Sequence, residues 1–285
     1  MLSDSQIKDL ELHAVAIRES ILEMLVAAGS GHTAGPLGMA DIFTALYFHI
    51  LKHDPKNPDW AERDRLILSN GHIVPVRYAT MAHAGYFPVS ELLTLRKFDS
   101  RLQGHPERHA LPGLENTSGP LGSGLSQAAG MALGLRMDGL KNYVYVCMSD
   151  GELDEGNSWE AIMFAGNQKL TNLTAIIDRN NIQIDGMTEH VMPLEPLADK
   201  WRAFNWHVIE IDGHNFNEIV DAVNQAKAIT EKPTVIIAHT IPGKGISEIE
   251  FDYKWHGTPP TAEQAQVWLK ELRTLQGKIE GGHLD

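Results

Sequence analysis

Short apolar runs alternate along this chain with segments of helical periodicity. The apolar runs at 65–68, 143–148, 173–178, 206–211 and 234–239 predict β-strands. Apolar positions three and four residues apart predict helices at 10–28, 39–51, 125–135, 159–170, 215–229 and 262–275. Strands that alternate with helices are typical of an α/β fold, with a mainly parallel sheet and helices on both faces.

Two stretches, 183–195 and 243–261, follow neither period, and we expect both to be loops. Long loops inside compact domains are often functional. The 285 residues, 43% of them hydrophobic, suffice for a large core in one α/β domain or at most two. Because no repeat, low-complexity tract or flexible linker is evident, we treat residues 1–285 as a single domain.

Two polar residues follow consecutive predicted strands. Asp150 comes after one strand and Asn180 after the next, about 30 residues later, which is the length of one strand–helix–strand crossover. Parallel strands would place both residues side by side at the carboxyl edge of the sheet. A carboxylate, an amide oxygen and a backbone carbonyl would suit Mg²⁺ carrying a diphosphate, and Gly151 would let backbone approach the phosphates. Turns that merely end two strands are the alternative.

Four of the 14 histidines lie in glycine-flanked motifs: His32, His72, His105 and His256. Histidine changes charge near neutral pH and can donate to phosphate or hydroxyl oxygens. A neighbouring glycine brings backbone and ligand close together. For each of the four, the alternative is a surface histidine or a core histidine with its hydrogen bonds satisfied.

The glycine-rich segment 119–124 precedes a predicted helix, so its backbone N–H groups could face a phosphate. Its likeness to a dinucleotide-binding fingerprint is superficial. The glycine spacing differs, and no acidic residue ends a following strand about 20 residues on. A nicotinamide-binding domain is therefore a weak alternative.

Charge and composition exclude several classes of protein. The net charge of −13 argues against binding nucleic acid or acidic membrane surfaces. The single cysteine, Cys147, rules out an internal disulfide and suggests a reducing compartment. The polar, acidic start does not read as a signal peptide, and no apolar run approaches the ~20 residues that span a bilayer. We expect a cytoplasmic protein.

The order and spacing of the motifs resemble those of transketolases over nearly the whole chain. Asp150-Gly151 followed by Asn180 is similar to the thiamine diphosphate signature. Two departures are Ser149, where the family usually has glycine, and Thr33-Ala34, where it usually has Pro-Gly. The segments that carry the resemblance are 31–40, 68–72, 104–107, 118–122, 150–152 and 255–257.

The resemblance implies a thiamine diphosphate-binding fold and assigns roles to particular residues. It places Mg²⁺ (or Ca²⁺) on Asp150, Asn180 and the carbonyl of Ile182. It makes His32 and His256 the residues that face the sugar and shuttle protons, and has His105 bind the terminal hydroxyl of the donor. It assigns cofactor contacts to His72, Gly119, Pro120, Leu121, Gly151, Asn180 and His256.

The resemblance covers only the diphosphate-binding domain, so the pyrimidine-binding and C-terminal domains would be absent. It implies the N-terminal subunit of a two-chain transketolase, in two copies with two of a partner that carries the pyrimidine-binding domain. The reaction would move a two-carbon ketol unit from a ketose phosphate to an aldose. The alternatives are a subunit of an α-ketoacid dehydrogenase-like enzyme and a non-catalytic cofactor-binding module. The motifs of His32, His105 and His256 favour a polyhydroxylated sugar.

Overall fold

The computed structural model describes residues 1–281; the last four residues, among them His283, lie outside the described part. Five strands form one sheet in the order β1-β2-β3-β7-β6, and every neighbouring pair in it runs parallel. Two further strands, β4 and β5, form a small antiparallel hairpin. In residues 1–281 the strands are β1 (Arg65–Leu68), β2 (Val144–Ser149), β3 (Leu173–Arg179), β4 (Ile182–Gln183), β5 (Gly186–Met187), β6 (His207–Asp212) and β7 (Thr234–His239).

The long first and last helices begin with capping boxes, formed by Ser3 with Gln6 and by Thr261 with Gln264. None of the helices within residues 1–281 is both long and apolar enough to cross a membrane. The α-helices are α1 (Asp4–Ala28), α2 (Ala34–Gly38), α3 (Ala40–Ala45), α4 (Val74–His83), α5 (Ser123–Met137), α6 (Gly156–Asn167), α7 (Thr188–Val191), α8 (Leu197–Ala203), α9 (Phe216–Ala228) and α10 (Ala262–Glu280).

The central strand β2 buries side chains on both faces of the sheet. Tyr145 and Cys147 pack into a core formed with α1, α3, α4 and α9. Val146 and Met148 face the other way, into a second core formed with α5, α6 and α8. Side chains alternate along a strand, so only a strand covered on both faces reads as a continuous apolar run. The predicted α/β class, with helices on both faces, is confirmed.

Some element boundaries differ from the prediction. The helix expected at 39–51 is α3 followed by a π-helical turn, Leu46–Ile50. The loop expected at 183–195 is wrong in part, because β4 and β5 pair around a tight turn and α7 follows them. Gly186 makes this geometry possible, since its φ of 153° suits glycine. Strands of two residues are too short to show a period in the sequence.

The carboxyl edge of the sheet gathers the segments that carry the sequence motifs. Asn70 follows β1 by two residues, Asp150 follows β2, and Asn180 follows β3. The segment 240–261, which follows β7, contains one short 3₁₀ turn, Tyr253–Trp255, and is otherwise a loop as expected. In open parallel sheets ligands bind at this edge.

Candidate functional site

A cavity of about 320 Å³ opens at the carboxyl edge. It brings together most of the residues singled out in the sequence: His32, His72, His105, Gly119, Leu121, Gly151, Ile182 and His256. Its remaining lining residues were not singled out: Ser149, Glu152, Gln183, Ile184 and Asp185.

Three histidines from distant parts of the chain meet in this cavity. The ring centroids of His32 and His72 lie 4.7 Å apart, those of His32 and His256 5.4 Å, and those of His72 and His256 5.2 Å. His32 follows α1, His72 follows β1, and His256 lies in the loop after β7. The arrangement presents several ring nitrogens to one small volume.

The surroundings of these rings favour the neutral imidazole. Burial, followed by the nearby charges of His256, Arg96 and His105, lowers the pKa of His32 to about 4. Burial also holds the pKa of His72 well below its usual range and lowers that of His256. Near pH 7 each of these three rings therefore has one N–H donor and one free lone pair.

Two of these rings carry a buried polar atom without a hydrogen-bond partner in the described part of the chain, namely Nδ1 of His32 and Nδ1 of His256. Buried polar atoms are almost always satisfied in native proteins. A polar group bound in the cavity would satisfy both nitrogens. This observation fits a site for a hydroxylated or phosphorylated ligand.

Close backbone packing shapes the wall of the cavity beside His105. A Cβ placed on Gly71 would overlap Ser118 Oγ and lie 3.2 Å from His105 Cδ2. Only glycine therefore lets the turn before His72 approach the 105–118 segment. Gly122 has a φ of 81°, and a Cβ there would overlap Asn157. Both glycines are required by the fold of the site.

Glu152 is a buried carboxylate that the sequence analysis did not identify. It accepts hydrogen bonds from Ser69 Oγ, from the Gly122 N–H (2.5 Å) and from the Ser149 N–H (3.3 Å). Burial raises the pKa of Glu152 to about 7, although these hydrogen bonds act to lower it. Glu152 thus links the ends of β1 and β2 to the glycine-rich loop. In the sequence it resembles any carboxylate near the start of a helix.

Asp150 and Asn180 emerge side by side, as predicted from the strand order. The Asp150 carboxylate is fully buried, and its Oδ2 accepts a hydrogen bond of 2.7 Å from the Asn181 N–H. Its Oδ1 accepts one of 2.7 Å from the Gly151 N–H. Asn180 Oδ1 accepts a hydrogen bond of 3.0 Å from the Ile182 N–H. These oxygens are fixed in place by backbone N–H groups.

Arg179 is a second residue that the sequence analysis missed. Its Nη1 lies 3.0 Å from Asp150 Oδ2, and its Nη2 lies 2.6 Å from Glu189 and 2.9 Å from Glu195. Burial raises the pKa of Asp150 to about 6, and the positive charge of Arg179 limits that rise. The guanidinium therefore helps to keep Asp150 ionised, which is the form that binds a cation.

The oxygen donors of Asp150, Asn180 and Ile182 are of the type that Mg²⁺ and Ca²⁺ prefer. Within residues 1–281 no group of three His, Cys, Asp or Glu side chains is placed to hold a metal ion. The expected set is of another kind, with one carboxylate, one amide and one backbone carbonyl. The chemistry of the donors thus fits a hard cation that also binds phosphate oxygens.

Three of the predicted site residues do not line the cavity. Asp150 is buried beneath it, and Pro120 is exposed on the glycine-rich loop. Asn180 lines an adjacent pocket of about 220 Å³ that also includes Phe251. Ile182 borders both the cavity and this pocket.

Comparison with known proteins identifies the family to which this site is related. The family model described as "Transketolase, thiamine diphosphate binding domain" matches residues 11–275. The chain is 48% identical over 271 residues to the 6-deoxy-6-sulfo-D-fructose transketolase subunit SqwG of Clostridium sp. (strain MSTE9), covering 95% of this chain and 98% of that protein. It is 42% identical over 276 residues to an apulose-4-phosphate transketolase subunit of Phocaeicola vulgatus, covering 96% and 98%.

Solved structures give the same result. A transketolase variant from Pichia stipitis superposes with a TM-score of 0.87 at 34% identity, over 94% of this chain and 41% of that one. Transketolase from Leishmania mexicana superposes with a TM-score of 0.85 at 33% identity, over 95% and 45%. The chain therefore spans less than half the length of these two proteins. The resemblance found in the sequence motifs is confirmed.

Proposed function

Because the chain belongs to the transketolase family, through its thiamine diphosphate binding domain, we propose that it is the N-terminal subunit of a two-chain transketolase. It transfers a two-carbon ketol unit from a ketose phosphate to an aldose. The observation that carries this proposal is the convergence of His32, His72 and His256 above the sheet edge where Asp150 emerges.

The cofactor is thiamine diphosphate with Mg²⁺, for which Ca²⁺ can substitute. Asp150, Asn180 and the Ile182 carbonyl would hold the cation together with the diphosphate. His72 and His256 would donate hydrogen bonds to the diphosphate. The closeness of these two rings and the neutral state favoured by burial support this division. Further cofactor contacts are assigned to Gly119, Pro120, Leu121 and Gly151.

When bound, the cofactor supplies the carbon nucleophile of the reaction. The residues of this chain position the sugar and move protons at its hydroxyl groups. His32 and His256 suit proton transfer, because each has a buried Nδ1 without a partner among residues 1–281. His105 would bind the terminal hydroxyl of the donor from the opposite wall of the cavity.

The donor is proposed to be a ketose that carries an anionic group. Two relatives are named for 6-deoxy-6-sulfo-D-fructose and for apulose 4-phosphate. A cavity that presents four imidazoles suits a polyhydroxylated sugar better than a small α-ketoacid. The substrate panel should therefore include xylulose 5-phosphate, fructose 6-phosphate and the two ketoses of these relatives.

A second chain is the other part of the proposal. The side chain of Ile184, on the rim of the cavity, is 68% exposed, and that of Phe251, beside the adjacent pocket, is 59% exposed. Large apolar side chains exposed next to a ligand site are typical of a surface that another protein covers. We place the pyrimidine-binding domain on that partner, with two copies of each chain in a cytoplasmic assembly.

The test is a ketol-transfer assay on the purified chain, with and without a candidate partner, using xylulose 5-phosphate as donor and ribose 5-phosphate as acceptor. We expect turnover only when both chains are present. Robust turnover by this chain alone would refute the two-chain assembly. Turnover of an α-ketoacid in place of the sugar would favour the dehydrogenase-like alternative, and cofactor binding without any turnover would favour a non-catalytic module.

A further inference from the structure

A buried ionic network lies outside the cavity and involves Arg18, Asp41 and His214. Arg18 Nη1 and Nη2 donate to the two Asp41 oxygens at 2.9 and 2.7 Å. His214 Nδ1 lies 2.6 Å from Asp41 Oδ2. The three side chains are at most 10% exposed. Burial alone would raise the pKa of Asp41, but Arg18 and the hydrogen bond from His214 lower it to about 2.

The hydrogen-bond partners of His214 fix which ring nitrogen carries the proton. The Asp41 carboxylate can only accept, so Nδ1 must be the donor. The backbone N–H of Ile241 lies 2.8 Å from Nε2 and can only donate. Nε2 therefore presents its lone pair, and His214 is the neutral Nδ1–H tautomer.

Ile241 stands near the start of the 240–261 loop, which carries His256. The Gly243 N–H donates to the Ala34 carbonyl at 2.9 Å, which ties this part of the loop to α2. A Cβ placed on Gly38, the last residue of α2, would lie 2.9 Å from the Ile241 carbonyl oxygen. The first turn of the loop thus packs directly on α2.

The same network also fixes α2 itself, the helix that begins two residues after His32. Arg18 Nε donates to the Leu37 carbonyl at 3.1 Å. At the far end of the loop, Thr33 Oγ1 donates to the Thr258 carbonyl at 2.7 Å. The segments that carry His32 and His256 are therefore held together on both sides of the site.

We propose that His214 is a positioning residue for the candidate site. Its Nε2 fixes the start of the 240–261 loop and thereby the separation of 5.4 Å between the rings of His32 and His256. The part of the test that measures sugar kinetics rests on the proposed function, whereas the structural part does not. The sequence analysis did not include His214 among the site residues, because its partners are distant in sequence.

Two substitutions separate the two hydrogen bonds of the ring. In His214→Asn, the amide nitrogen lies about where Nδ1 was and can still donate to Asp41, but no atom reaches Ile241. In His214→Gln, the longer side chain places its amide oxygen about where Nε2 was, so that it can accept from the Ile241 N–H. Arg18 and Asp41 remain paired in both variants.

We expect amide hydrogen exchange at Ile241 and Gly243 to become about tenfold faster in His214→Asn and to stay near the wild-type rate in His214→Gln. In the assembled enzyme, the donor KM should rise in His214→Asn with a smaller change in kcat, and His214→Gln should restore it. His13→Asn is the matched control, because His13 also faces a carboxylate, that of Asp9, but lies outside the network. It should change neither quantity.

Equal exchange rates and equal donor KM values in the two His214 variants would overturn the proposal, and so would the reverse ranking. A measurement on the unsubstituted protein needs no variant: ¹⁵N shifts of the His214 ring should show a protonated Nδ1 and an unprotonated Nε2. The opposite tautomer would overturn the proposal. If the assembled wild-type enzyme transfers no ketol unit, the proposed function fails, while the exchange rates and the tautomer still decide the role of His214.

Discussion

The Asp150 carboxylate and the Arg179 guanidinium form a buried ion pair, with Oδ2 and Nη1 3.0 Å apart. Asp150 is fully buried and the Arg179 side chain is 3% exposed. Because Arg179 also pairs with Glu189 and Glu195, it joins the end of β2 to the segment that follows the β4–β5 hairpin. The candidate metal ligand is thus held in position by the protein itself.

Replacing Asp150 should abolish the joint binding of cation and diphosphate. Asp150→Ala removes the one carboxylate of the expected set, while Arg179 keeps its two glutamate partners. We expect thiamine diphosphate affinity at fixed Mg²⁺ to fall about ten- to a hundredfold, as for the loss of an interaction with a charged group. Calorimetry measures this. Asp199→Ala, which removes a surface carboxylate paired with Arg202, is the control and should bind normally.

His72 and His105 should affect different steps. His72→Ala should weaken thiamine diphosphate binding about ten- to a hundredfold, since a hydrogen bond to a charged phosphate contributes roughly 1.5–3 kcal/mol. His105→Ala should leave cofactor affinity unchanged and raise the donor KM. Cofactor titrations and steady-state kinetics of the assembled enzyme check both. Identical profiles for the two variants would remove this division of roles.

His32 should make the folded protein less stable in acid. Its pKa is lowered to about 4 in the fold, chiefly by burial, whereas the unfolded chain has the ordinary value of 6.5. The unfolded state therefore binds more protons between these values, so stability is complete above pH 6.5 and falls as the pH drops towards 4.

His32→Gln removes this titration. The free energy of unfolding lost between pH 7 and pH 4.5 should be smaller in the variant by roughly 1–3 kcal/mol, from urea denaturation at each pH. Comparing variant with wild type at the same pH cancels the opposing effect of Glu152, whose raised pKa stabilises the fold in acid. Equal pH dependence in the two proteins would contradict the low pKa of His32.

Glu152→Gln should destabilise the glycine-rich loop. The substitution keeps the shape of the side chain but puts an amide nitrogen, which cannot accept, among donors that include Ser69 Oγ and the Gly122 N–H. We expect a loss of about 1–3 kcal/mol in the free energy of unfolding near pH 8. Glu155→Gln, on an exposed neighbour, should change it by less than about 0.5 kcal/mol. Equal losses in the two variants would argue against the role of Glu152.

The parts of the fold that the sequence predicts correctly are those with a long, repeated signal. The apolar runs of β2 and β3 are recognisable because both faces of each strand are buried. Helix α9 was predicted to within a residue of its ends, since its apolar face is strongly periodic. The β4–β5 hairpin was missed, because two-residue strands carry no such signal.

The same limit applies to the site. The histidines of the cavity could be predicted, because each lies in a short motif flanked by glycine. Arg179 and Glu152 could not, since their importance comes from burial beside residues that the fold brings to them. Glu152 meets Ser69 across 83 positions of sequence, and His214 meets Asp41 across 173. A residue whose role depends on a distant partner shows no local pattern.

The most direct test of the central claim is calorimetric titration of the protein, with its partner subunit, with thiamine diphosphate in the presence and absence of Mg²⁺, and separately with NAD. We predict saturable binding of thiamine diphosphate that requires the metal ion, and no heat of binding with NAD. Saturable binding of NAD, or no binding of thiamine diphosphate with Mg²⁺ present, would contradict the account.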